Sequence, residues 1–338
     1  MYAQAHNGTA ASDIVVELAD VHKTFRQKQR SGRLRDVLRT MVHPQVREVQ
    51  ALRGVNLQIR RGEIVAYAGP NGAGKSTTVK MLSGMLAPDQ GRVRALGMDP
   101  VRQRVRYVRT IGVVFGQRTE LWNDHPIAAS FEWKRVVWDI PRQRFEHMQG
   151  LLREVLGLHE FFHSLTRELS LGQKMRAELG LALLHEPEIL FLDEPTIGLD
   201  VLAKRTILEF IKELNRTQRV TVMLTSHDMA ELEQLAGRMV MIDRGAIAFD
   251  GSFDRLRQEV TDRRRLVLET AGEQPPELHG AELIASEARR HEYVFDAAQT
   301  RIAALLEQAA AQTTILDVET HRAPIDEVIV DIYRRWHQ

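Results

Sequence analysis

The sequence predicts an α/β fold on a mixed sheet core with a helical subdomain, followed by a small α+β domain, and three observations carry that expectation. Strand-like and helix-like stretches alternate through residues 55–224, the pattern of parallel α/β packing. A glycine-rich loop separates the apolar strand Glu63-Ile64-Val65-Ala66-Tyr67-Ala68 from a helical stretch that includes Val79-Lys80-Met81-Leu82. A second apolar strand, Ile189-Leu190-Phe191-Leu192, ends in two acids, Asp193 and Glu194, at the strand end where open α/β sheets receive their ligands.

The loop is the most specific element. Gly69-Pro70-Asn71-Gly72-Ala73-Gly74-Lys75-Ser76-Thr77 fits the G-x-x-x-x-G-K-[ST] phosphate-binding pattern at every position, which predicts a bound nucleotide triphosphate. Glycine lets successive N–H groups turn inward and cradle phosphate oxygens, and the following helix N-terminus favours an anion. Lys75 is expected to reach the outer phosphates, and Ser76 to offer its hydroxyl to Mg²⁺.

Composition narrows the function classes. The 338 residues are 43% hydrophobic and 27% charged, as in an ordinary globular chain of one large domain plus a smaller one. Lys and Arg total 46 against 45 Asp and Glu, so the net charge of +1 gives no reason to expect nucleic acid as a partner. There is no Cys, which excludes disulfides, thiolate metal sites and cysteine nucleophiles. Met1-Tyr2-Ala3-Gln4-Ala5-His6-Asn7-Gly8 lacks a basic start and an apolar core, so no signal peptide is expected. No apolar run reaches the ~18 residues of a spanning helix, so any membrane crossing is expected from another chain.

Taken in order, Asp13–Phe25 reads as an edge strand, and residues 26–50 as a basic insertion. Within it Leu34, Val37, Leu38, Met41 and Val42 fall at helical spacing before Pro44, which predicts a short amphipathic helix and a possible peripheral membrane contact through residues 26–48. Strands follow at Val55–Ile59 and Ile111–Phe115. Residues 122–185 form the helical subdomain, with Trp122, Trp133 and Trp138 near its start. Leu169-Ser170-Leu171-Gly172-Gln173 opens a helix that runs to about Leu184. A helix near Leu202–Leu214, the strand Val220–Leu224 and a hairpin-like Met239–Phe249 complete a domain over residues 1–254. The polar run Thr261–Arg265 suggests a boundary near 255–262. Strands at Leu266–Thr270, Glu282–Ala285, Tyr293–Phe295 and Ile315–Val318, with helices Ala297–Ala311 and Ile325–Trp336, give residues 255–338 as a small α+β domain without a catalytic constellation.

Asp193 is expected to hold Mg²⁺, and Glu194 to polarise the water that attacks the terminal phosphate. Gln117, just past a strand, has an amide oxygen suited to Mg²⁺ or a water. With these residues in view the chain closely resembles the ATP-binding-cassette (ABC) ATPases. The resemblance covers about residues 13–253 and rests on Gly69–Thr77, Gln117, Leu169–Gln173, Ile189–Glu194, Gly198-Leu199-Asp200 and His227, in the order found in that family.

The resemblance implies ATP and Mg²⁺ as ligands and a head-to-tail homodimer of cassettes. Ser170, Gly172, Gln173 and Asp200 are then expected at the other subunit's nucleotide. His227 is expected on the γ-phosphate and attacking water, and Phe25 on the adenine. Two departures stand out: Leu171 takes the place of the usual Gly, and the insertion between Phe25 and Ala51 is long. Val113–Arg118 and Thr196–Val201 resemble bacterial exporter-type ATPases, as does the small C-terminal domain. This implies an ATP-hydrolysing subunit on the cytoplasmic face of a bacterial membrane, with separate transmembrane permease subunits docked on the region 122–162. The alternatives are a polysaccharide exporter's ATPase and a soluble regulatory cassette without a permease. A translation factor would need two cassettes, and a DNA-repair ATPase long coiled-coil or Cys-based zinc insertions.

Overall fold

Apolar residues at alternate positions set the first strand, β1 (Ile14–Lys28): Val16 and Leu18 are buried, and Glu17 between them is not. The expected edge position is corrected by the structure. β1 lies between β2 (Val46–Arg60) and β4 (Gln90–Ala95) in a three-stranded antiparallel sheet. Leu18 has Leu57 on one side and Val93 on the other, and Val16 has Ile59 and Ala95, so apolar cross-strand pairs exist on both flanks. The computed structural model describes residues 13–28, 46–116, 119–260, 263–322 and 325–336. The helix expected at Leu34–Val42 lies outside them. Its flanks are described, and they are strand: Arg26 stands opposite Glu48 with a 3.0 Å ion pair.

The chain divides into two compact units, Met1–Asp250 and Gly251–Gln338. At the centre of the first is a six-stranded sheet in the order β5-β6-β7-β3-β8-β9. Its strands are β3 (Ile64–Ala68), β5 (Ile111–Phe115), β6 (Ile189–Asp193), β7 (Thr221–Thr225), β8 (Arg238–Asp243) and β9 (Ala246–Gly251). Strands β5, β6, β7, β3 and β8 run parallel, so Phe115, Asp193, Thr225, Ala68 and Asp243 finish at one edge. β3 is buried at all five residues, and each fully buried Val, Leu, Ile or Phe of such a strand contributes about 1.5–3 kcal/mol.

Helix α1 (Lys75–Leu82) packs Val79 and Leu82 into the core formed with Val65, Tyr67 and Ile242. The helical part holds α2 (Ile127–Val137), α3 (Arg142–Val155) and α4 (Leu171–Leu183). Helical periodicity runs through 126–162, but Asp139 takes φ 55° and Pro141 caps α3, so the helix breaks between them. Phe131 and Phe162 close the core of this part edge to face, 5.2 Å apart. Helices α5 (Val201–Gln218) and α6 (Met229–Leu235) follow β6 and β7.

The second unit is a four-stranded antiparallel sheet, β11-β12-β10-β13, with three helices among its described residues. These are α7 (Phe253–Val260), β10 (Arg263–Thr270), β11 (Ala281–Glu287), β12 (Arg290–Asp296), α8 (Ile302–Gln312), β13 (Ile315–Arg322) and α9 (Ile325–Trp336). Leu266, Leu268, Tyr293, Phe295 and Leu305 form its core. The division falls before the expected 255–262 because α7 packs against α9 in this unit. Arg263–Arg265 belong to β10, a central strand, where Arg265 meets Glu292 at 3.4 Å. The helix expected from Ala297 starts only at Ile302, because the Asp296 carboxylate accepts from the Ala298 N–H and holds a turn there.

Candidate functional site

β3 delivers the glycine-rich loop to the shared strand edge, and two glycines there have no alternative. A Cβ on Gly69 would lie 2.2 Å from the Ile242 carbonyl oxygen. One on Gly74 would lie 2.6 Å from that of Ala51, and Gly74 also needs φ 116°. Gly74 caps α1 without a side chain, and the first turn contains no acid, so its N–H groups suit an anion. Lys75 is 6% exposed and donates to the carbonyls of Gly69 at 2.6 Å and Pro70 at 3.3 Å. Burial pulls its pKa down, against the opposing pull of the Glu194 and Asp193 carboxylates nearby. A loop that admits no side chain at Gly69 or Gly74, an uncapped helix start and a buried ammonium held by loop carbonyls fit a phosphate chain. Pro70, Asn71, Gly72, Ala73, Ser76 and Thr77 complete the loop and the first turn, with Ser76 on the exposed side.

Asp193 ends β6 opposite Thr225 of β7, whose hydroxyl donates to Asp193 Oδ1 at 2.7 Å. The next residue, Glu194, takes φ 57°, a left-handed conformation that costs a side-chain-bearing residue about 1–2 kcal/mol. The turn sets its carboxylate 2.6 Å from Nε2 of His227, which is half exposed. A carboxylate paired to an imidazole beside a lysine ammonium can polarise water and take its proton where phosphoryl oxygens carry charge.

The structure therefore brings Lys75, Asp193, Glu194 and His227 together. Ser170, Gly172, Gln173 and Asp200 form a second group at the starts of α4 and α5. Ser170 and Gln173 make a reciprocal capping box, with Gln173 N on Ser170 Oγ at 3.2 Å and Ser170 N on Gln173 Oε1 at 2.9 Å. Asp200 caps α5 through the Ala203 N–H at 2.9 Å. Leu171, which takes the place of the usual Gly, lies against the Gly198 turn, where an added Cβ would meet its Cδ2 at 2.9 Å. Phe25 stands opposite Val49 with the Lys23 ammonium 5.9 Å from its ring centre. Gln117 lies outside the described residues.

Two features escaped sequence reasoning. Thr225 reads as the end of an ordinary strand, and only its cross-strand register reveals its partners. Lys204, on α5, pairs with Glu231 of α6 at 2.7 Å and with Asp228, which caps that helix, at 3.4 Å, while the Thr196 hydroxyl donates to Glu231 at 2.6 Å. That cluster braces the turn carrying His227 against the segment that follows Glu194, and no local pattern around Lys204 signals it, because its partners lie 24 and 27 positions on.

A phosphate loop, a carboxylate pair at the end of the next strand but one and a helix opened by the Ser170–Gln173 capping box define a nucleotide-binding cassette. The family model described as "ABC transporter" matches residues 52–197. The chain is 32% identical over 208 residues to the ABC transporter ATP-binding protein NatA of Bacillus subtilis, covering 62% of this chain and 84% of NatA. It is 34% identical over 225 residues to the daunorubicin resistance ATP-binding protein DrrA3 of Streptomyces coeruleorubidus, covering 66% and 71%. Import proteins are matched as well. A solved ATP-binding subunit of an ABC transporter shares the fold, with a TM-score of 0.60 at 23% identity over 72% of this chain and 92% of that one. The chain belongs to the ATP-binding subunits of ABC transporters. Domains of this family bind ATP, generally with Mg²⁺, and as cassettes they dimerise and work with transmembrane permease subunits. Among the described residues no helix is long and apolar enough to cross a membrane.

Proposed function

We propose that this chain is the ATP-hydrolysing subunit of an exporter, acting as a cassette homodimer on separate membrane permease subunits. The observation that carries the reading is the 2.6 Å pairing of Glu194 with His227 at the strand edge that also holds Lys75 and Asp193. Lys75 neutralises the outer phosphates, and the loop N–H groups of Gly69–Thr77 orient them. Ser76, Asp193 and Gln117 are the oxygen donors for Mg²⁺, which when bound offsets the negative charge that builds on the transferring phosphoryl group. Glu194 takes the proton of the attacking water, and His227 holds that water and the terminal phosphate in line. Phe25 stacks on the base.

Ser170, Gly172, Gln173 and Asp200 serve the nucleotide of the partner cassette, which gives the exposed starts of α4 and α5 their role. Similarity to a protein named for daunorubicin resistance supports export. The exposed Trp122 and Trp133, in ring contact with each other, support permease docking on the helical part. Residues 255–338 act as a regulatory or dimer-stabilising domain, and the basic stretch 26–48 approaches the cytoplasmic membrane surface. The test is purification of the tagged chain after co-expression with the membrane protein encoded beside it. A stable complex whose ATPase rate depends on that partner, and which Trp133→Glu disrupts, is expected. A chain that purifies alone and hydrolyses ATP at one rate with or without the partner overturns the exporter reading.

A further inference from the structure

We infer that Thr225 is a positioning residue that sets both acids of the site through one hydroxyl. The inference rests on the proposed roles of Asp193 and Glu194. Thr225 is fully buried at the end of β7, in register with Asp193 on the parallel neighbour β6. Its Oγ1–H donates to Asp193 Oδ1 at 2.7 Å, and the same oxygen accepts the Glu194 N–H at 3.1 Å. A threonine hydroxyl has one proton, so donation to Asp193 leaves only lone pairs to face the Glu194 amide. The two contacts therefore fix each other's direction, and neither can turn without the other.

The arrangement answers a specific need. Glu194 leaves the strand with φ 57°, and its amide is held by the Thr225 hydroxyl and by the Thr225 carbonyl oxygen, at 3.1 Å each. Among the described residues no other hydroxyl is hydrogen-bonded to Asp193. Two residues further along the same chain, His227 meets the Glu194 carboxylate at 2.6 Å. One short segment, 225–227, thus grips Asp193 by a hydroxyl, the Glu194 backbone by a hydroxyl and a carbonyl, and the Glu194 side chain by an imidazole. Valine at position 225 would keep the shape and the β-branched strand preference but lose both hydroxyl contacts.

The test uses the full chain in three forms: wild type, Thr225→Val and Thr225→Ser. Steady-state ATP hydrolysis, thermal unfolding and binding of a fluorescent ATP analogue across a Mg²⁺ series are measured on each. In Thr225→Val we expect kcat to fall at least about tenfold and the Mg²⁺ concentration for half-maximal binding to rise several-fold, with Mg²⁺-free nucleotide affinity within about twofold. Thr225→Ser, which retains the hydroxyl, restores kcat and the Mg²⁺ dependence to near wild type. If Thr225→Val fails to fold, Thr225→Ala removes the same oxygen and is read in its place. Wild-type kcat and Mg²⁺ dependence in the hydroxyl-free variant overturn the inference, and so does an equal loss in the serine and valine variants that follows only their melting temperatures. Glu194→Gln separates this from the site reading: near-normal hydrolysis there sinks the acid assignment itself, whereas a Glu194→Gln that loses hydrolysis beside a Thr225→Val of wild-type kcat and Mg²⁺ dependence sinks only the role of Thr225.

Discussion

The carboxylates at the strand edge of the first unit and those in its helical part have opposite characters. At the strand edge, Glu194 is partly open and reaches one imidazole from a strained backbone. In the helical part, Glu178 of α4 is 6% exposed and accepts from the Thr119 hydroxyl, from the Glu120 N–H at 2.9 Å and from the Leu121 N–H at 3.4 Å. Around it Lys134 pairs with Glu120 at 3.3 Å and lies 4.8 Å above the Trp138 ring, which in turn packs on His185. Burial raises the Glu178 pKa and lowers that of Lys134. By perturbation alone, the helical cluster would pass for the active site. What separates them is openness: Glu178 spends its acceptors on its own chain, whereas Glu194 stands where a ligand can arrive. Shifted titration marks burial, and function needs burial together with access.

The contrast can be broken or sharpened by substitution at each cluster. Glu194→Gln is expected to lower ATP hydrolysis by about 10²–10⁴-fold while leaving thermal stability within a few degrees, as measured by phosphate release and a melting curve. Glu178→Ala should do the reverse. It removes the acceptor of the Thr119 hydroxyl and the Glu120 N–H, while the Leu121 N–H keeps Thr119 Oγ1 at 3.0 Å, so the loss is expected in urea unfolding, at about 1–3 kcal/mol, with hydrolysis per folded molecule changed only a few-fold.

A smaller effect belongs to His185, whose Nε2 lies 2.8 Å from the Ile111 carbonyl oxygen. Burial, helped by the Lys134 charge, pushes its pKa from 6.5 to about 4. The folded protein therefore resists binding a proton that the unfolded chain takes up readily. Stability is complete above pH 6.5 and declines as pH falls from there toward 4. At about 1.4 kcal/mol per pH unit, the loss by pH 5 is about 2 kcal/mol. His185→Gln is expected to flatten that decline in chemical unfolding between pH 7 and 5, and an unchanged slope would remove His185 as its source.

Much of the site was legible because its residues lie in short contiguous patterns. Gly69–Thr77 and Ile189–Glu194 carry their own flanking strands, and local periodicity sufficed to set the elements around them. Positions defined by cross-strand neighbours were not legible. β1 read as an edge because β4 lies 62 residues beyond Lys28 in sequence, counting to Gln90. Thr225 acquires its meaning from Asp193, which sits 32 positions earlier, and Glu178 from a segment 57–59 positions away. Helix starts slipped for a similar reason: Asp296 and Pro141 redirect the backbone locally, and apolar spacing runs through both unbroken. The second unit shows the limit of reading charge as a boundary, since Arg263–Arg265 lie in a central strand, where Arg265 pairs with Glu292 of β12.

In the proposed function Glu194 acts on bound nucleotide without being needed to bind it, and a second cassette completes the site. Size-exclusion chromatography of Glu194→Gln with ATP and Mg²⁺ tests both parts at once. The expected result is a dimer that retains unhydrolysed ATP and reverts to monomer when nucleotide is removed. A monomer under those conditions, or a dimer holding only ADP, would contradict it.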